Sequence, residues 1–273
     1  MQRLVTIVTL LAVLVFPACS LAHTTVIFPV SVRDGRQELK VVHFSPGSGD
    51  NIMGIRLHGK DTRVLKGLES IFMIHDGSRT DISGLALPDF YSVRNGTGES
   101  YTIPIRRKLV SKAGDYVFVV RHVPHWKPKM GLYIQKIAKF YINRGGLITD
   151  WPHRVLKDAP EIVPLSAPYS LYRGMIFRAE VVNEKGKLIP NARIHVEFLN
   201  YNPGEKGLDV SAPITQAQDM AERILFADRS GSFSFVPPLA GIWTFTLMDG
   251  DSGLEIEGKK LQFDSSVSIK VLP

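Results

Sequence analysis

A chain of 273 residues with 44% hydrophobic and 22% charged residues suits one large or two modest domains and is too apolar for wholesale disorder. Its formal charge is +7, but the basic residues are scattered apart from Arg106-Arg107-Lys108 and Lys127-Pro128-Lys129. That is a solvated surface, not the basic stripe with interleaved aromatics that nucleic-acid binding requires. The single cysteine, Cys19, excludes a disulfide framework and a thiolate metal site from all that follows it.

The N-terminus carries a short basic region, Met1-Gln2-Arg3, and then a largely apolar core from Leu4 to Phe16. Pro17 and small residues lead to Ser20-Leu21-Ala22, with small side chains three and one residues before His23. This is the pattern of a secretory leader cut after Ala22, and it is shorter than the roughly 20 apolar residues that span a bilayer. A rival cut would leave Cys19 as a lipidated terminus, but Phe16-Pro17-Ala18 lacks the aliphatic residue that such a site uses. No second long apolar stretch follows, so the mature chain is expected to be soluble and secreted.

From there the sequence reads as short β-strands punctuated by Gly, Pro, Asn and Asp. Residues 24–30, 37–44, 68–75, 100–105, 115–123 and 133–143 are rich in β-branched and aromatic side chains. Turn clusters such as Ser45-Pro46-Gly47-Ser48-Gly49-Asp50 separate them, and a short helix is possible over 56–65. The first two strands fit a hairpin. After the proline-rich passage from Asp158 to Pro168, further strands are expected at 175–183, 192–200, 231–236, 242–249 and 260–271. The turn Asp228-Arg229-Ser230-Gly231 and the glycine of Ala240-Gly241-Ile242-Trp243 are typical of a small β-sandwich. The expected architecture is all-β: a leader over 1–22, a β-rich domain over 23–158 and an immunoglobulin-like sandwich over 159–273.

Chemistry-bearing motifs are few. There is no phosphate-binding loop, no Gly-x-Ser-x-Gly elbow and no His-Glu-x-x-His helix, so hydrolase chemistry has no support and no enzymatic activity is expected. Cutting after Ala22 would make His23 the first residue. Its α-amino group, with a pKa of about 7.7–8.0, and its own Nδ1 can close a chelate ring on a metal ion. Further imidazoles would make a nitrogen-rich site favouring Ni²⁺, Co²⁺ or Cu²⁺ over Mg²⁺ or Ca²⁺. His43 ends the second strand, where the hairpin would bring it towards His23. His122 and His125, in Arg121-His122-Val123-Pro124-His125-Trp126, are the only close histidine pair. His58, His75, His153 and His195 have no such context and read as structural. Glu69, Glu161 and Glu205 are available carboxylates that nothing singles out. Trp126, Tyr133, Trp151, Tyr169, Tyr172 and Trp243 could alternatively form sugar-stacking platforms.

Several stretches resemble one family. They are Asp115–Val120, Val123-Pro124-His125-Trp126-Lys127-Pro128 with Gly131-Leu132-Tyr133-Ile134, Glu161–Leu165 with Pro168-Tyr169, Gly174–Arg178, Pro190–Glu197, and Ala227-Asp228 through Gly241-Ile242-Trp243. Together these are similar to the periplasmic accessory proteins of nickel and cobalt uptake transporters (NikK-like). The resemblance implies a periplasmic protein that helps deliver Ni²⁺ or Co²⁺ to the membrane component of an energy-coupling-factor type transporter. A leader ending in alanine directly before histidine matches Ala22-His23, and a histidine closing the second strand matches His43. The position of His125 commonly holds an aromatic in those proteins, so His125 departs from the pattern. The ligand set expected is His23 and His43, with His125 or His122 as a third. Two other classes stay open: a carbohydrate- or protein-binding sandwich without metal, and a copper mono-oxygenase-like enzyme built on an N-terminal histidine.

Overall fold

The computed structural model describes residues 24–31, 37–44, 67–93, 96–204, 207–209, 213–217 and 221–273. Their elements in chain order are β1 (Thr24–Ser31), β2 (Gln37–Phe44), β3 (Leu68–His75), β4 (Ser78–Asp81), a 3₁₀ turn (Ser83–Leu85), β5 (Leu87–Val93), β6 (Gly96–Ile105), β7 (Gly114–His122), β8 (His125–Lys127) and β9 (Leu132–Arg144). There follow β10 (Glu161–Pro164), β11 (Leu171–Tyr172), β12 (Phe177–Val182), β13 (Arg193–Phe198), β14 (Asn202–Gly204), β15 (Gly207–Asp209), β16 (Glu222–Phe226), β17 (Ser232–Phe235), β18 (Gly241–Ile256) and β19 (Lys259–Leu272). The protein is all-β and built of packed sheets, as the strand and turn pattern predicts. The possible helix over 56–65 lies outside the described residues.

A large sheet runs in the order β16-β13-β18-β19-β9-β7-β3-β4 and contains strands from both sides of the proline-rich passage. The junction is the parallel pairing of β9 with β19, from Tyr133 opposite Leu261 to Phe140 opposite Ser268. On one face lies the smaller sheet β10-β12-β17, and on the other the sheet β1-β2-β6-β5. The large sheet is therefore a middle layer, apolar on both faces along its central strands. β7 shows why its sequence reads as an unbroken hydrophobic run. Val117 and Val119 join the core with Phe177, Val181 and Phe245, whereas Tyr116, Phe118 and Val120 join the core with Ile27, Val41 and Ile103. Successive residues of a strand point to opposite faces, and here both faces are covered.

Two local devices were visible in the sequence. Asp228 Oδ1 accepts the backbone N–H groups of Ser230 at 2.7 Å and Ser232 at 3.0 Å, closing the turn into β17. Gly241 sits at φ +136°, and a Cβ there would lie 2.7 Å from Cε2 of Phe198, so the aromatic core around Trp243 requires glycine at this point.

A buried ion pair ties the middle layer to the small sheet. Lys139 of β9 donates to the Glu161 carboxylate at the start of β10 and, at 2.9 Å, to the Ile162 carbonyl. Glu161 also accepts the backbone N–H groups of Val155 (3.0 Å) and Leu156 (2.8 Å), so every formal charge is met. Removing one partner leaves the other charge buried and uncompensated. Lys139→Met or Glu161→Gln is expected to cost about 3–5 kcal/mol in urea-unfolding free energy. The apolar double replacement of both residues should recover most of that loss.

Candidate functional site

β1 is the strand whose start follows the predicted cut. Its sequence, Thr24-Thr25-Val26-Ile27-Phe28, has no polar alternation because it lies between β2 and the middle sheet. Thr24 and Thr25 are each only 2% exposed. Serine hydroxyls of β19 tether the strand: Ser266 Oγ donates to the Thr25 carbonyl (3.3 Å), and Ser268 Oγ accepts the Ile27 N–H (3.3 Å).

Two sets of ionisable groups meet this strand end. On one side Thr25 Oγ1 lies 3.2 Å from His122 Nε2, at the end of β7. His122 is pushed down to about 3, first by burial, then by the nearby Lys136 ammonium and by His125, against a hydrogen bond to the Gly67 backbone. Its imidazole is neutral near pH 7, the form that binds metal. Lys136, also buried, falls to about 8 by desolvation and the nearby Lys127, while Asp264 and Glu197 hold it up.

On the other side Thr24 Oγ1 donates to Glu197 Oε2 of β13. The same oxygen lies 3.6 Å from His195 Nδ1, and His195 Nε2 lies 2.7 Å from Glu222 Oε1 of β16. Burial raises Glu197 to about 7, against the pull of His195, Thr24 and Lys136. Burial works to lower His195, but Glu222 and Glu197 outweigh it and hold the ring above its usual value. Glu222 is lowered, mainly by its hydrogen bond with His195.

The expected ligands fall as follows. His23 lies outside the described residues. His43 is in β2 directly opposite Thr25, as the hairpin predicts, and its ring is outside the described residues. His122 reaches Thr25. His125 opens β8, half-buried, and is close enough to His122 to depress it. His75 stacks on Tyr116 at 4.3 Å, and its Nδ1 bonds to the Asp115 carbonyl (2.9 Å), which is a structural role. Among the described residues, no three His, Cys, Asp or Glu side chains converge as a metal-holding group. Glu161 is consumed by Lys139. Glu69 accepts from Gln135 Nε2 at 2.5 Å, and Glu205 lies outside the described residues. Of the aromatic candidates, Trp243 is fully buried, whereas Trp126, 39% exposed, tilts against Tyr133 at 5.1 Å and 53°.

The sequence reading took His195 as structural and did not single out Glu197 or Glu222. In Arg193-Ile194-His195-Val196-Glu197-Phe198 the polar residues alternate with core residues, which is the signature of a half-solvated strand. The hidden signal is on β19, where Gln262, Asp264, Ser266 and Ser268 are buried and polar on the face turned away from Phe263, Val267 and Ile269.

The fold and this strand end define an all-β protein of layered sheets with a buried polar band under its first strand. The chain belongs to the family described as "Domain of unknown function (DUF4198)", which matches residues 20–248. No curated protein matches it. Among solved structures it is similar to the full ectodomain of mouse nectin-like molecule 4, at 11% identity and TM-score 0.21, covering 92% of this chain and 64% of that one. It is also similar to a Ca²⁺-stabilised, ice-binding adhesin of an Antarctic bacterium, at 9% identity and TM-score 0.22, covering 92% of this chain and 49% of that one. The chain thus spans less than two thirds of each. No helix among the described residues is long and apolar enough to cross a membrane.

The electrostatics carry a sign. Glu197 is raised in the folded state, so its folded form holds a proton that the unfolded chain has lost, between the ordinary carboxylate range and about 7. Its contribution to stability therefore falls as pH rises through that window and levels off above it. Glu197→Gln keeps an acceptor for Thr24 without the charge. In metal-free thermal melts, the variant should gain on the parent steadily from pH 4.5 to pH 7.5, with little difference at the acid end.

Proposed function

We propose that this protein is a non-enzymatic, periplasmic carrier of a divalent transition-metal ion, Ni²⁺ or Co²⁺, that assists the membrane component of an uptake transporter. The ion is held at the mature N-terminus. The α-amino group and Nδ1 of His23 form the chelate ring, and His122, with His43 and His125 nearby in the fold, offers additional imidazole.

The observation that carries this reading is the burial of Thr24 and Thr25, at 2% exposure each. Consecutive Cα atoms are about 3.8 Å apart, so residue 23 is attached to an anchored strand. The residues that follow such a terminal histidine are themselves fixed, Thr24 on Glu197 and Thr25 beside His122. Neutral His122 is ready to bind without first losing a proton. The buried ammonium of Lys136, which interacts with His122 and with Glu197, tempers the attraction for a cation. That is the balance a carrier needs, since its cargo must leave again.

The exported protein, analysed by mass spectrometry, is expected to begin at His23. Titrated with Ni²⁺, that species should bind one ion, and His23→Ala should bind at least 100-fold more weakly. Affinity should fall as pH drops from 8 to 6, as the amine and imidazole take up protons. A chain beginning elsewhere, or lipidated at Cys19, or indifferent to Ni²⁺ and Co²⁺, overturns the proposal.

A further inference from the structure

One end of the molecule gathers loops of a single chemical kind. β7 starts there opposite the end of β9, Gly114 facing Arg144, and β19, parallel to β9, finishes beside them. β11 pairs with the last residues of β19, and the Arg173 N–H donates to the Leu272 carbonyl at 2.8 Å. The Gly174 N–H reaches the Pro237 carbonyl at 3.2 Å, and Phe177, starting β12, stands opposite Phe235, ending β17. The described segments at this end, 106–113, 144–149, 165–178, 236–241 and 270–273, contain no Asp or Glu. They carry eight Lys and Arg residues, among them Lys112, Arg144, Arg173, Arg178 and Lys270, all exposed. Leu147, Ile148, Tyr172, Met175, Ile176 and Val236 stand among these cations, each 49–56% exposed.

Nothing nearby offsets the charge. Asp115 and Asp150, just behind these loops, are buried and spent on backbone N–H groups, Asp115 on Thr149 and Asp150 on Gly77, both at 2.7 Å. The opposite end mixes its signs: Lys260 Nζ lies 3.4 Å from Asp251 Oδ1, and Glu257 accepts from the Tyr133 hydroxyl. Between the ends of β1 and β9, a cleft of about 890 Å³ opens among the cationic loops, lined by Gln37, Asn143, Tyr169 and Lys270. It is a polar recess with one cation on its wall. A second copy of this chain is a poor occupant, because a symmetric contact would set cations against cations. A bilayer containing anionic lipid supplies what the loops lack, phosphates for the cations and an acyl boundary for the apolar side chains.

We propose that this end of the molecule docks on an anionic phospholipid surface. Tyr172, Met175 and Ile176 enter the headgroup region, and Arg173, Arg178 and Lys270 meet the phosphates. The inference goes beyond metal carriage and does not depend on it.

The test uses the exported protein, free of metal, with vesicles of phosphatidylcholine alone or mixed with phosphatidylglycerol. The protein should sediment with the mixed vesicles only, and added salt should weaken the association. Arg173→Glu with Arg178→Glu should reduce binding at least 20-fold, since each cation contributes about fivefold. Met175→Ser with Ile176→Ser should reduce it about tenfold with the charges intact. Lys185→Glu with Lys187→Glu, the same charge change at the opposite end, should bind as the parent does. All six positions are exposed, and circular dichroism checks that the variants are folded. A tryptophan placed by Ile176→Trp should shift its emission to the blue on the mixed vesicles. The inference falls if the mixed vesicles leave the protein in solution, or if the two charge reversals weaken binding equally. It falls too if Met175→Ser with Ile176→Ser binds as the parent does, or if the protein self-associates through these residues without lipid. Ni²⁺ titration of Arg173→Glu with Arg178→Glu should match the parent, so failure here leaves the carrier reading standing.

Discussion

The parallel pairing of β9 with β19 is the constraint from which the rest of the molecule follows. It joins strands more than a hundred residues apart in sequence into one sheet and makes that sheet a middle layer. A middle layer must be apolar on both faces, hence the unbroken hydrophobic runs of β7 and β9, and its two coverings pack against it independently. The buried pair of Lys139 and Glu161 sits beside this junction. Its charges are tolerable there only because backbone N–H groups and a carbonyl satisfy what the pair leaves over.

The same layering creates the site. Where β1 crosses the middle sheet, the face beneath it changes from apolar at Ile27 to polar at Thr24 and Thr25. Seen from the sheet, β7 and β9 contribute His122 and Lys136, β13 contributes His195 and Glu197, and β19 contributes Asp264 and Ser266. Burial then shifts these groups in opposite senses, depressing His122 and raising Glu197. Imidazole and carboxyl are thereby both brought close to neutrality in charge, which lowers the cost of keeping them out of water.

Much of the strand order was readable from local pattern. β2 and β3 match their expected ranges, and β7, β9, β17 and β19 differ only by a residue or two at their ends. β-branched and aromatic runs bounded by Gly, Asn and Asp leave little else for the backbone to do. The β1–β2 hairpin followed from its spacing, and so did the position of His43 opposite Thr25. Short polar strands such as β4 and β8 carry no such pattern and were missed. The sheet that runs through both halves was also unreadable, because pairing between distant strands leaves no local trace. That omission hid the site: with no strand known to lie over β13, His195 reads as an ordinary structural histidine and Glu197 as a residue in water. His122 was found only because His125 is close to it in sequence.

The strand that β9 needs at its side is synthesised more than a hundred residues after it. An emerging chain can form the β1–β2 hairpin and the β7–β9 meander, but its middle layer stays open, with an unpaired apolar edge, until β19 exists. Contacts of such long sequence separation delay cooperative folding. The growing chain therefore carries an unpaired edge until that strand is made, and in that interval it depends on being held back from association with its own exposed edges.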